Sequence, residues 1–136
     1  MPILVDSNVL LDVMTEDPQW FAWSAQTLAE QAELDMLTIN PLIYAEVSVG
    51  FARIEDLDTA LDAATFHRLA LPWAASFLAG KCFLEYRKRG GVRTAPLPDF
   101  YIGAHASVSD MALLTRDATR YRTYFPKLRL VAPQAV

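Results

Sequence analysis

Short, wholly apolar runs alternate with longer stretches of helical spacing along the chain. Pro2-Ile3-Leu4-Val5 is one such run, ending at Asp6, and reads as a buried strand. Met36–Ile39, Met111–Thr115 and Leu128–Ala132 are three more short strands. Between them, Asp17-Pro18 and Asn40-Pro41 each place a capping residue before a proline suited to a helix's first position. The first pair opens a helix with Phe21, Ala25, Leu28 and Ala32 on one stripe; the second opens one with Ile43, Val47 and Phe51 spaced by four. Residues 55–66 read as a further helix. Beyond Pro72, a long helix carries Trp73, Phe77, Gly80 and Leu84, runs out in Tyr86-Arg87-Lys88-Arg89 and stops at Gly90-Gly91. A proline-containing loop, Val92 to Pro98, leads into a helix from Asp99 to Val108.

Short apolar strands alternating with helices predict an α/β fold, a three-layer α/β/α arrangement around a central, mostly parallel sheet. In such sheets ligands collect at the carboxyl ends of the strands, where the strand order reverses. Asp6 and Asp117 stand at that kind of position. No repeat, linker or low-complexity tract divides the sequence, so residues 1–136 are expected to form one domain.

Composition narrows the function. With 53 % hydrophobic and 21 % charged residues, disorder is excluded. The single cysteine, Cys82, allows neither an internal disulfide nor a zinc site built on several thiolates. The longest uncharged apolar stretch, residues 69–80, contains Pro72 and is too short to span a bilayer. No Lys or Arg precedes Arg53, so a basic secretory leader is not expected, and the expected compartment is the cytoplasm. The net charge of −4 conceals a polarised chain: residues 1–67 hold twelve acids and one base, whereas residues 68–136 hold eleven bases and four acids. That asymmetry points to a charged partner, nucleic acid included.

Four acids stand out by their settings. Asp6 follows a hydrophobic strand, and Asp117 follows another. Glu46 has Leu42, Ile43, Val49 and Gly50 as its helical neighbours, and Asp99 opens a helix with Ile102 and Gly103 one turn on. Neither Glu46 nor Asp99 has a base at helical pairing distance. Unpaired acids on apolar faces are costly to bury unless something neutralises them, and Mg²⁺ takes carboxylate oxygens readily. Glu46, neither at a helix terminus nor on a polar stripe, is the hardest to explain structurally; the other three acids also have a plain structural reading. Asp6 can cap the short helix after its strand, Asp99 can serve first-turn electrostatics, and Asp117 can cap a turn and pair with Arg120.

Four segments together resemble the PIN domain: Val5-Asp6-Ser7-Asn8, Pro41-Leu42-Ile43-Tyr44-Ala45-Glu46, Leu97-Pro98-Asp99-Phe100-Tyr101-Ile102-Gly103-Ala104-His105-Ala106 and Leu114-Thr115-Arg116-Asp117. More narrowly, the sequence is similar to VapC-type toxins of bacterial toxin–antitoxin pairs. The resemblance implies a PIN-like fold and a Mg²⁺- or Mn²⁺-dependent endoribonuclease, a homodimer held inactive by a cognate antitoxin. It also implies that Asp6, Glu46, Asp99 and Asp117 are the catalytic, metal-binding acids, with Asn8 and Thr115 supporting them by hydrogen bonding. Hydrolysis would then be metal-assisted, with no protein nucleophile.

The run Lys81, Arg87, Lys88, Arg89 and Arg93 could hold RNA phosphates, with Tyr86 available for stacking; its plain reading is a solvated helix end. Arg116, Arg120, Arg122, Lys127 and Arg129 could extend that surface. His105, six residues after Asp99, points elsewhere on its helix and reads as a satisfied structural histidine, as do His67 and Cys82 as structural residues. Trp20, Trp23, Trp73 and Phe77 are expected to pack in the core, or in part to form a groove for a second copy or an antitoxin. Two alternatives stay open. A phosphatase of the haloacid dehalogenase type would want a second aspartate where Asn8 stands, and a PIN-like module could bind without cutting.

Overall fold

Ile3, Leu4 and Val5 are each at most 1 % exposed, and because successive strand side chains point to opposite faces, both faces of this strand must be covered. The computed structural model, which describes residues 2–134, shows how. The strands are β1 (Ile3–Val5), β2 (Leu37–Ile39), β3 (His67–Arg68), β4 (Ala112–Leu114) and β5 (Leu130–Val131). The helices are α1 (Ser7–Met14), α2 (Phe21–Leu34), α3 (Pro41–Ser48), α4 (Ile54–Ala60), α5 (Trp73–Lys88), α6 (Pro98–Val108) and α7 (Thr119–Tyr124). The sheet runs β3-β2-β1-β4-β5, with every pairing parallel.

The chain winds outward from β1 through β2 to β3, then returns to place β4 on the other side of β1. The order therefore reverses between β1 and β4, and in such sheets ligands bind at the carboxyl ends of the strands flanking that reversal. Helices cover both faces, as the α/β reading requires. Among the described residues, no helix is long and apolar enough to cross a membrane.

Several expectations change. The 55–66 helix stops at Ala60, where buried Leu61 and Phe66 bracket a turn in which the Asp62 carbonyl accepts from Thr65 and Phe66. The chain then forms the two-residue edge strand β3, which the sequence did not announce because both of its residues are polar and exposed. His67 is accordingly exposed on that edge rather than buried in a structural role. α2 begins at Phe21 instead of Pro18, since the Asp17 carboxylate accepts from Gln19 and Trp20 and holds a separate turn first. Its buried positions are Ser24 and Thr27, not the Phe21 stripe, because α1 offers it the buried Asp12, whose carboxylate accepts from the Ser24 hydroxyl at 2.7 Å. On α5 the core face is Ala75, Ala79 and Cys82, so Trp73 and Phe77 lie exposed, at 91 % and 69 %. Trp20 and Trp23 are half-buried, in edge contact with each other.

Candidate active site

Asp6 sits where β1 gives way to α1. Its Oδ1 caps that helix through the Ser7 backbone N–H at 2.8 Å, while Oδ2 accepts from the Thr115 hydroxyl at 2.9 Å, the Tyr121 hydroxyl at 2.9 Å and, more distantly, the Asn8 amide at 3.5 Å. Asn8 also donates to Thr115 Oγ1 and accepts the Arg116 backbone N–H, so it clamps the end of β1 to the turn after β4. With only 3 % of its surface exposed, Asp6 has its carboxyl pushed up to about 6 by burial. The Thr115, Tyr121 and Ser7 hydrogen bonds oppose this rise, and the nearby Asp99 charge adds to it.

Glu46 arrives from α3. That helix is capped by Asn40, whose side chain accepts from the Ile43 N–H, and ends at Ser48. Val49, expected on an apolar face beside Glu46, is therefore beyond the helix and exposed. Glu46 itself is half-buried and accepts from the Ser7 hydroxyl at 3.0 Å. Burial raises its pKa; the Ser7 bond opposes that, and the charges of Asp6 and Asp99 reinforce it. Asp99, in the first turn of α6, is raised too, first by burial and also by the Asp117 charge. Its Oδ2 accepts from Arg120 at 3.4 Å and its Oδ1 lies 3.4 Å from the Tyr121 hydroxyl. Asp117 is the outlier: exposed, in the turn after β4, with its carboxylate accepting from Thr119 N–H at 3.4 Å. Arg120, the base three residues on from Asp117, pairs with Asp99 instead.

The fold thus gathers Asp6, Glu46 and Asp99 from three separate elements at the β1/β4 reversal, with Asp117 beside Asp99. Each of the three has its charged form disfavoured, and each feels at least one of the others or Asp117. Such an all-oxygen, mutually repelling set is the donor chemistry a hard divalent cation takes. Among the described residues no three such side chains stand together as a finished cage. The Tyr121 hydroxyl and the Arg120 guanidinium instead hold oxygens of Asp6 and Asp99.

A family model described as the PIN domain matches residues 3–126. The chain belongs to the PIN domain family. PIN domains are generally nucleases, and those nucleases generally use divalent metal ions. No curated protein matches the chain. Solved structures share the PIN fold at low identity. VapBC2 of Rickettsia felis bound to a promoter DNA fragment aligns with TM-score 0.74 at 18 % identity, over 98 % of this chain and 100 % of that one. VapBC-1 of nontypeable Haemophilus influenzae aligns with TM-score 0.73 at 19 % identity, over 97 % and 98 %. A toxin–antitoxin complex from Klebsiella pneumoniae aligns with TM-score 0.65 at 22 % identity, over 98 % and 99 %.

Four further residues of this PIN domain have partners that the sequence does not show, Arg120 among them, which was expected to pair with Asp117. Ser7 holds Glu46, Tyr121 joins Asp6 to Asp99, and Arg120 pairs with Asp99. Asp12, 2 % exposed, accepts two hydrogen bonds from Arg116, at 2.9 and 3.0 Å, which ties α1 to the turn carrying Asp117. Their partners lie far away in the chain, so no local pattern marks them; only the apolar Val9–Leu10 and Val13 around Asp12 hinted at its burial. Of the candidate RNA-binding bases, Arg89 lies over the Tyr124 ring at 5.4 Å and Arg87 donates to the Arg93 carbonyl at 2.8 Å. Lys88 and Arg93 are exposed.

Proposed function

We propose that this PIN domain is a Mg²⁺- or Mn²⁺-dependent endoribonuclease and the toxin of a bacterial toxin–antitoxin pair. The observation that carries the reading is the convergence of Asp6, Glu46 and Asp99 at the sheet's reversal point, each with its carboxylate disfavoured by burial and by its neighbours. A fold does not keep such a cluster for stability, because removing the charges would stabilise it.

In this reading Asp6, Glu46, Asp99 and Asp117 hold the cation and orient the attacking water, and Asn8 and Thr115 keep Asp6 in place. The chemistry a divalent cation supplies in such a site is polarisation of a phosphoryl oxygen and a lowered pKa for bound water. The chain's bases do the rest: Arg87, Lys88, Arg89 and Arg93 lie at the end of α5 and in the loop after it, where they can engage RNA phosphates. Asn8 is committed to Asp6, Thr115 and Arg116, which removes the position a phosphatase would use for its second acid.

The antitoxin partner rests on the fold neighbours, which are toxin–antitoxin complexes. Trp73, Phe77 and Leu84 form an exposed apolar row on α5 that suits a homodimer or that partner. Cytoplasmic action fits both RNA and antitoxin.

The test is cleavage of total bacterial RNA by purified protein with Mn²⁺ or Mg²⁺, against EDTA and against Asp6→Asn. Metal-dependent cuts that disappear in the variant support the reading. Absence of cutting together with no effect of metal on the melting temperature would overturn it.

A further inference from the structure

Next to the acidic cluster, the end of α5 and the face of α7 enclose a cleft of about 460 Å³. It is lined by Asp99 and Asp117, by Thr119 and Arg120, and by two rings, Tyr86 and Tyr124. The volume lies within the roughly 300–1,000 Å³ typical of small-ligand sites.

Both rings are held rigidly. Tyr86 stacks on Phe83 with centroids 6.2 Å apart and meets the buried Phe100 edge-on at 5.7 Å; Tyr124 meets Phe100 edge-on at 5.0 Å. The glycine pair after α5 does more than end the helix. Gly90 takes φ 92°, turning the chain back so that the Gly91 N–H donates to the Tyr86 carbonyl at 2.9 Å. A Cβ on Gly91 would run into the Tyr86 ring, so only glycine lets the loop lie against it. The Arg93 N–H then lies 3.4 Å from the Tyr86 hydroxyl. The loop thus fixes Tyr86 as a wall of the cleft.

Arg120 is the cation among the lining residues, and the Arg89 guanidinium lies 5.4 Å from the centroid of the Tyr124 ring. The Arg120 contact with Asp99 is a single one, at 3.4 Å, between side chains 42 % and 35 % exposed, and such a pair costs little to break. A fixed aromatic wall beside a releasable guanidinium, bordering the acids, matches what single-stranded nucleic acid presents: a base face and a phosphate.

We propose that this cleft is the subsite for the nucleotide flanking the scissile phosphate, with the base against Tyr86 or Tyr124 and Arg120 transferred from Asp99 to the phosphate. The proposal rests on the nuclease reading above and adds the place and means of substrate binding.

The test is fluorescence anisotropy of a short fluorescein-labelled single-stranded RNA of mixed sequence with the full chain in Ca²⁺, RNA integrity being checked on gels. Arg120→Gln is expected to weaken binding about tenfold and Tyr124→Leu about fivefold, in line with the worth of one phosphate or stacking contact. Arg53→Gln removes the same charge outside the cleft, from an exposed side chain before α4, and is expected to change binding less than about twofold. Equal losses in Arg120→Gln and Arg53→Gln would mean general charge attraction and would overturn the subsite. Wild-type protein that cuts RNA, while Arg120→Gln binds and cuts as well as wild type, overturns the subsite alone. Wild-type protein that neither binds nor cuts RNA overturns the nuclease reading with it.

Discussion

The Tyr121 hydroxyl donates to Asp6 Oδ2 at 2.9 Å and lies 3.4 Å from Asp99 Oδ1, so one phenol on α7 joins carboxylates from two other elements. A hydroxyl has one hydrogen to give, and the shorter distance assigns it to Asp6. Burial and the Asp6 and Asp99 charges push the Tyr121 phenol well above its usual range, which keeps it a donor. Tyr121→Phe leaves the ring in place and removes only that donor. With Asp6 ionised, at about pH 8, the loss is expected to be about 1.5–3 kcal/mol, as for hydrogen bonds to charged groups. With Asp6 protonated, at about pH 4.5, it should fall to about 1 kcal/mol. Urea unfolding at both pH values checks this. An equal loss at both would show that the phenol does not serve the ionised carboxylate.

Asp6 is itself a source of pH dependence. Its carboxyl is raised from 3.8 to about 6, so between those values the folded chain holds more protons than the unfolded one. Stability from this group is therefore full below the unfolded pKa and is lost as pH rises through about 6, a loss of about 3 kcal/mol at most. Asp6→Asn should accordingly raise the melting temperature of the metal-free protein at about pH 8 and lose that advantage near pH 4. Mn²⁺ should raise the melting temperature of the wild type well above its effect on the variant. Thermal melts in EDTA and in Mn²⁺ distinguish these outcomes; a destabilised variant at high pH would mean that the hydrogen bonds to Asp6 outweigh its burial.

The parallel sheet was legible because β1, β2 and β4 are short, apolar but for Thr38, and followed by polar punctuation, the pattern of strands covered on both faces. β3 and α7 were not, since His67-Arg68 and Thr119–Tyr124 are polar segments placed by their neighbours rather than by a stripe of their own. The acids Asp6, Glu46, Asp99 and Asp117 stood out by their settings, two after apolar strands and two on helices with no base at pairing distance, and the fold does bring three of them together with the fourth beside Asp99. The groups that hold them could not be read. Tyr121, Arg120, Ser7 and the Asp12–Arg116 pair act over separations of 21 to 115 residues, and a sequence marks only near neighbours. Aromatic residues misled for a different reason: helical spacing shows which residues share a face, and the small Ala75, Ala79 and Cys82 took the core side of α5.

Asp12 and Arg116 form a two-point ion pair across 104 residues, with side chains 3 % and 31 % exposed. Trp20 lies under the guanidinium, 5.6 Å from it. Arg116→Ala leaves the buried carboxylate without its counter-charge, held by the Ser24 hydroxyl, a change expected to cost about 3–5 kcal/mol. Replacing both, as Asp12→Leu with Arg116→Met, should recover most of that, because the uncompensated charge is gone. Urea unfolding followed by tryptophan fluorescence reports the change from beside the pair. A double variant as unstable as Arg116→Ala would mean that the pair's geometry, and not the stranded charge, sets the cost.

Asn40 serves two partners with one amide. Its Oδ1 accepts from the Ile43 N–H at 3.0 Å, which fixes the amide's orientation and turns Nδ2 toward His105 Nδ1, 3.0 Å away. Nδ1 is therefore the acceptor, and the imidazole is neutral with its proton on Nε2. His105 is 1 % exposed, and burial lowers its pKa below 6.5. In that window the unfolded chain binds more protons, so the contribution of His105 is present above about pH 6.5 and is lost as pH falls through the folded value. Asn40→Ala removes the cap and leaves a buried ring nitrogen unpaired, at an expected cost of about 2–3 kcal/mol. Asn40→Asp keeps the cap but faces Nδ1 with a carboxylate, so the ring must take a proton there, and the His105 pKa should rise. An NMR titration of the His105 ring, run beside unfolding measurements at the same pH values, follows both effects. A His105 that titrates identically in wild type and Asn40→Asp would place the control of its charge in burial alone, with Asn40 acting only as the cap of α3.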